Sequence, residues 1–293
     1  MSRTELLDAA PGATTVRWSE QIAQIGSPVP MYGVLTVPDG AAAKPFALII
    51  LNSGLLHHVG SCCLSVKLAR AAASMGVTVL RYDASGIGDS APRTTDLPQD
   101  RRAVRELREA MDYLQKTRGI ERFALMGLCS GAFTSFAAAL EDERVIGVTQ
   151  IAAFAYRTRG WYLRHYGARL LVFQSWRNFV LRMLGKRGTL RRGLSLQYLD
   201  DSADAGWDLP EKAELEGGYR ALLERRVRLL TIMTGGESYA YLYRGQFRDM
   251  FPRVRFDEHF EEHYFPQSSH IITQPLYQRV VLDTITQWIA RLD

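Results

Sequence analysis

The chain has 293 residues, of which 47% are apolar and 23% charged, and it carries a formal net charge of +5. This composition excludes a disordered or fibrous chain and suits one large α/β domain, or a core domain carrying an insertion. No apolar run reaches the roughly 18 residues of a membrane helix, and three cysteines, two of them adjacent at Cys62 and Cys63, exclude a disulfide framework.

Residues 14–25 and 31–37 read as antiparallel strands joined through Gly26, Ser27 and Pro28. The continuous apolar run Phe46–Leu51 predicts a strand buried on both faces. A helix over 61–75 ends at Gly76, and a second buried strand, Val77–Leu80, closes on Arg81, Tyr82 and Asp83. Residues 100–117 form an amphipathic helix with Val104, Leu107, Met111 and Leu114 on one face. A strand at 123–126, a small-residue helix at 130–140 and a strand from Val145 to Phe154 follow. Strand alternation resumes at Val227–Met233. A helix near 240–250, a short strand near 261–265 and a last helix over 274–291 complete the chain, the last one opened by Thr273 and Pro275. Leu276, Val280, Ile285, Trp288 and Ile289 are expected on its buried face.

Strands alternating with helices predict a mostly parallel sheet covered on both faces, with right-handed crossovers. One stretch interrupts the alternation. Between residues 155 and 199 lie Arg157, Arg159, Arg164, Arg169, Arg177, Arg182, Lys186, Arg187, Arg191 and Arg192, without one Asp or Glu. The expected organisation is therefore a core over 1–154, a basic helical lid over 155–226, and the rest of the core over 227–293. Bulky residues such as Trp161, Tyr162, Tyr166, Phe173 and Trp176 are interleaved with the arginines. They would roof an acyl pocket, and the arginines would either face solvent or meet the phosphates of a CoA-type substrate or an acidic carrier protein. Anionic lipid is a further target for a basic helix; no nucleic-acid recognition motif is evident.

The most informative segment is Gly127-Leu128-Cys129-Ser130-Gly131. It follows a buried strand and precedes a small-residue helix, the setting of a nucleophile elbow of form G-x-Nuc-x-G. The middle position is Cys129, and Ser130 stands one place too late to be the nucleophile. Its backbone N–H is expected to serve the oxyanion site. Neither CxxC nor HExxH occurs, so neither a metal nor a cofactor is expected.

Together with Leu51–Gly60 (LNSGLLHHVG), Leu80–Ser90 (LRYDASGIGDS) and Ser268-Ser269-His270, this elbow resembles the α/β-hydrolase superfamily. The likeness is greatest to its serine-aminopeptidase-like, S33-type bacterial hydrolases, including exosortase-system-associated ones. It spans about residues 30–154 and 227–290. A cysteine at the elbow departs from most of that superfamily and is similar to dienelactone hydrolases and polyhydroxyalkanoate synthases. The resemblance implies an α/β-hydrolase fold; the lid, read from the interrupted alternation, takes no part in it.

It also implies that the base is the last histidine of the chain, His270, with His259 and His263 as competitors. The carboxylate partner falls in the loop after the penultimate strand, where Glu237 stands in place of the usual Asp; Asp257 is the reserve. The second oxyanion donor falls on Gly54 or Leu55, with the Leu55 N–H favoured. His57 and His58 share that loop, either lining the pocket or facing solvent. Asp83 and Gly86–Ser90 are read as building the tight turn after the fourth strand.

A thiol that attacks a carbonyl leaves a thioester intermediate, which suits ester, lactone or thioester substrates better than amides. A histidine or a helix N-terminus would lower its pKa. The sequence supports a cysteine-dependent hydrolase first. Acyl transfer or cyclisation with the same residues, and a non-catalytic binding protein on this scaffold, remain as alternatives. The N-terminal segment lacks the basic-then-apolar layout of a secretory signal, so a cytoplasmic location is expected.

Overall fold

The structure is a computed structural model that describes residues 16–40, 43–170, 210–235 and 240–292. Eight strands form one sheet: Trp18–Ile25 (β1), Met31–Pro38 (β2), Ala47–Ile50 (β3), Thr78–Tyr82 (β4), Phe123–Leu128 (β5), Val145–Ile151 (β6), Arg228–Thr234 (β7) and Phe260–Phe265 (β8). Their spatial order is β1-β2-β4-β3-β5-β6-β7-β8. β2 runs antiparallel to both β1 and β4, and every pairing from β4 to β8 is parallel. The described helices are Leu64–Ser74 (α1), Gln99–Arg118 (α2), Ser130–Glu141 (α3), Arg159–Leu170 (α4), Lys212–Glu224 (α5), Gln246–Met250 (α6) and Pro275–Ala290 (α7).

The period of the strands divides the core into two layers. Ala47 and Ile49 of β3 face a cluster built with α2, α3 and α5, and Leu48 and Ile50 face a second cluster built with α1 and α7. Since both faces are covered, all four apolar residues of β3 and all five residues of β4, Thr78 and Arg81 included, are buried. The predicted face of α2 is the buried one: Val104, Leu107, Met111 and Leu114 all lie in the core. Helix α5 closes the β6-to-β7 crossover and packs into the first layer through Leu215, Tyr219 and Leu222. It stands at the C-terminal end of the segment expected as a lid, most of which, 171–209, lies outside the described residues.

The last helix departs from expectation. Leu276 is 67% exposed, while Gln278, Val281, Ile285, Trp288 and Ile289 are buried. A polar residue takes the inward position because its amide has bonding partners there: Gln278 Nε2 donates to the carbonyls of Ile272 (3.0 Å) and Ser61 (3.3 Å).

The chain leaves β3 toward β4 on one side and continues through β5 on the other. The direction of winding therefore reverses between β3 and β5. In an open parallel sheet such a switch opens a crevice outside the carboxyl ends of the two strands, where ligands bind. The elbow follows β5 and the Asn52–Gly60 loop follows β3, so both border this crevice.

Candidate active site

Cys129 sits between the last residue of β5 and the first of α3, at φ 53° and ψ −117°. A side chain rarely adopts such a conformation, which costs about 1–3 kcal/mol and persists only where the surroundings enforce it. Here they do. The Cys129 N–H donates to the Ile151 carbonyl (2.9 Å), and its own carbonyl accepts the Ala132 N–H (3.0 Å), tying the residue to the sheet and to the helix at once. The two flanking glycines make room. A Cβ on Gly127 would lie 2.0 Å from the Gly131 carbonyl carbon, and one on Gly131 would lie 2.5 Å from the Asn52 oxygen.

The thiol is half-buried, and burial pushes its pKa above the ordinary cysteine value; the Ser130 backbone N–H on the sulfur pulls only partly the other way. Desolvation of a thiolate outweighs that hydrogen bond, so the shift runs opposite to the lowering expected. It follows that iodoacetamide at neutral pH should alkylate the exposed Cys62 and Cys63 before Cys129. Labelling of Cys129 should accelerate with rising pH, as peptide mapping would report; fastest labelling of Cys129 at pH 7 would contradict this.

The loop after β3 is held over the elbow. Ser53 accepts the Leu56 N–H (2.9 Å), making a tight turn, and the Gly54 N–H donates to the Ser130 hydroxyl (2.7 Å). The side chain of Leu55 is exposed, and its N–H makes no hydrogen bond among the described residues. Of the two residues considered as second oxyanion donor, then, Gly54 has its N–H engaged and Leu55 does not.

Beneath that turn lies a network whose pieces were legible but whose connection was not. Asp83, fully buried, accepts from the His58 N–H (2.6 Å), His58 Nδ1 (2.8 Å), Asn52 Nδ2 (3.0 Å) and the Asp89 N–H (3.1 Å). Burial alone would raise its carboxyl; the hydrogen bonds from His58, Asn52 and Asp89 outweigh that and hold it below the usual carboxylate range. Asn52 also accepts the Ala84 N–H (2.8 Å) and donates to the Leu56 carbonyl (2.8 Å). The loops after β3 and β4 are thereby one unit. Asp83 is structural, as read from the sequence, and His58 is neither solvated nor free. His57 lies at the rim, 3.1 Å from Asp89 Oδ2. The ligand-type atoms of His57, His58, Asp83 and Asp89 lie within 4.8 Å of one another, but the N–H donors just named already occupy both Asp83 oxygens.

His270 follows β8, on the same carboxyl edge of the sheet as the elbow. Its turn is braced. Ser269 N–H donates to Gln274 Oε1 (3.0 Å), Thr273 N–H donates to Ser269 Oγ (3.0 Å), and Gln278 holds the Ile272 carbonyl. Ile271 and Cys129 pack against the same apolar cluster, together with Phe265. His259 and Asp257 lie instead just before β8, at the opposite edge, and cannot serve the elbow. His263 is within the strand, its pKa lowered by burial. Glu237 lies outside the described residues. The preceding Gly235 N–H donates to the Phe265 carbonyl (3.2 Å), linking the start of that loop to the strand that leads to His270.

Beside the elbow is a cavity of about 780 Å³ between α2 and α3. Gly54, Ser130 and Gly131 are on its wall, as are Phe133, Phe136 and Phe154; Cys129 and His270 are not. In the basic segment Arg157 stacks on the Trp161 ring (4.9 Å) and Arg164 on the Tyr243 ring (4.0 Å). The arginines from 177 to 192 lie outside the described residues. Among the described residues no helix is long and apolar enough to cross a membrane.

Known proteins place this arrangement. The chain is similar in structure to an α/β serine hydrolase without a lid from Xanthomonas campestris, with 15% identity, coverage of 93% of this chain and 94% of that one, and a TM-score of 0.56. It is also similar to a hypothetical protein from Pseudomonas aeruginosa (15% identity, 96% of each chain, TM-score 0.61). A third likeness is to an esterase domain from Rhodothermus marinus (17%, 93% and 99%, 0.55). At these identities the likenesses establish the fold, an α/β-hydrolase fold. No curated protein matches the chain. The family model described as serine aminopeptidase, S33, matches residues 43–193, just over half of the chain and including the elbow. The chain therefore belongs to the S33 serine aminopeptidase-like family of α/β-hydrolases.

Proposed function

We propose that the protein hydrolyses an ester or thioester through an acyl intermediate on Cys129. The observation that carries this reading is the strained backbone of Cys129 itself, held at the tip of a strand–helix turn where only two glycines let it stand. Strain of this kind is retained where a side chain must be presented to a ligand.

In this mechanism Cys129 Sγ attacks the carbonyl carbon of the substrate. Burial disfavours the thiolate, so attack is assisted by a base, and His270 takes the S–H proton as the C–S bond forms. The oxyanion is met by the backbone N–H groups of Ser130 and Leu55. The tetrahedral adduct collapses with cleavage of the bond to the leaving alcohol or thiol, which receives the proton from His270. Water then attacks the acyl-cysteine, giving up a proton to the same imidazole; the adduct collapses, the acid leaves, and the imidazolium returns the proton to the departing Cys129 Sγ. Glu237 is assigned to orient the imidazole and to stabilise its charged form.

Intact-mass spectrometry after mixing with a panel of activated esters and thioesters tests this. The expected result is a transient adduct of one acyl group, mapped to Cys129 by digestion. Turnover of those substrates with no adduct, or an adduct mapped to Ser130, would overturn the assignment.

A further inference from the structure

The cavity beside the elbow is apolar over most of its wall, with Leu51, Phe133, Phe136, Leu140, Phe154 and Leu215 facing it. Gln99, Asp100, Arg101, Arg102, Glu141 and Glu214 also line it, all exposed or half-buried, whereas Glu106 and Ser85 are buried in the wall and do not fit a pocket for a plain hydrocarbon chain. Glu106 of α2 is 2% exposed and Ser85, in the turn after β4, is 4% exposed. Glu106 Oε2 accepts the Ser85 N–H (3.1 Å), and Oε1 accepts the Ser85 hydroxyl. Among the described residues Glu106 makes no ion pair.

A carboxylate has about four acceptor sites, and Ser85 fills two. Burying such a group without a cation costs several kcal/mol unless donors meet its remaining lone pairs. A leucine at position 106 would have filled the same wall of an apolar pocket at no such cost. We propose that this cavity is the acyl pocket, entered past Ser130 and Gly54. Glu106 and Ser85 there select an acyl chain that carries an O–H or N–H donor away from the ester group. The inference rests on the acyl-enzyme reading for the direction of the chain. Its core, a donor-selective cavity, stands on Glu106 alone.

A binding measurement separates the two. The Cys129→Ala protein cannot form an adduct, so calorimetry on it reads the cavity without the chemistry. The probes are a homologous series of unsubstituted, ω-hydroxy and ω-amino methyl esters. A hydrogen bond to a charged acceptor is worth about 1.5–3 kcal/mol, which corresponds to roughly 10- to 100-fold in affinity. The expected result is that one member of the hydroxy or amino series binds at least about tenfold tighter than its unsubstituted counterpart; which series does so names the donor. Adding Glu106→Leu should abolish that preference. Should that variant misfold, Glu106→Gln serves: it retains an acceptor for a hydroxyl but removes the charge that favours an ammonium. Equal affinity for all three series overturns the inference, and so does a preference that survives in folded Glu106→Leu. Failure of the acyl-enzyme reading would appear separately, as selective binding by a protein that forms no adduct when Cys129 is intact.

Discussion

Cys129→Ala is expected to lower kcat/KM for any substrate of this protein by about 10⁴-fold or more, the order lost when a covalent nucleophile is removed elsewhere. The fold should survive. The side chain is half-buried, packs against the cluster shared with Phe265 and Ile271, and contributes one sulfur to it, so the cost is about 1 kcal/mol or less. The informative companion is Cys129→Gly. Glycine adopts φ 53° and ψ −117° without strain, releasing about 1–3 kcal/mol. Against this stands glycine's larger conformational freedom in the unfolded chain, about 0.5–1 kcal/mol. The glycine variant should therefore be inactive yet at least as stable as Cys129→Ala, as urea unfolding would report. An elbow that gains nothing from glycine is not strained, and the support drawn from its backbone would fall with it.

Asp83→Ala should destabilise the protein by about 3–5 kcal/mol, the range for leaving a buried charged network without one partner. Four donors would lose their acceptor: His58 N–H, His58 Nδ1, Asn52 Nδ2 and the Asp89 N–H. Activity should fall beyond what the unfolded fraction explains, since Asn52 and His58 hold the turn that presents Leu55. The same carboxylate ties stability to acid. Its folded pKa lies below the reference value of 3.8, so its contribution is complete above that value and is lost as pH falls from there through the folded value. Asp83→Asn should flatten that acid limb of the stability profile. A parent and an Asn variant with parallel limbs would show that Asp83 is not the group responsible.

The fold was legible because its strongest signals are local. β3 and β5 are continuous apolar runs, β4 is apolar but for Thr78 and Arg81, α2 has an unbroken helical period, and the elbow carries its glycines at fixed spacing. What escaped is what distant residues decide together. Nothing in the period of α7 says that Gln278 goes inward and Leu276 outward; that depends on the carbonyls of Ser61 and Ile272 waiting there. His57 and His58 read equally well as pocket or solvent residues until β4 brings Asp83 beneath His58. The thiol pKa of Cys129 is set by how deeply the elbow is buried, a quantity that no motif states, and the sign came out opposite to that expected. Glu106 belongs to an amphipathic helix as one more acidic residue, and only the packed chain turns it toward a cavity with Ser85.

The pair of hydrogen bonds donated by the Gln278 amide has a meaning for the order in which the molecule becomes competent. One end of this clasp is near the first third of the chain and the other beside the histidine turn, while the clasp itself belongs to the helix that follows. A chain that has emerged only as far as the elbow lacks both the Ile151 carbonyl that ties Cys129 to the sheet and the histidine turn that the clasp fastens. On the proposed mechanism, the base is therefore fastened only once that helix has docked.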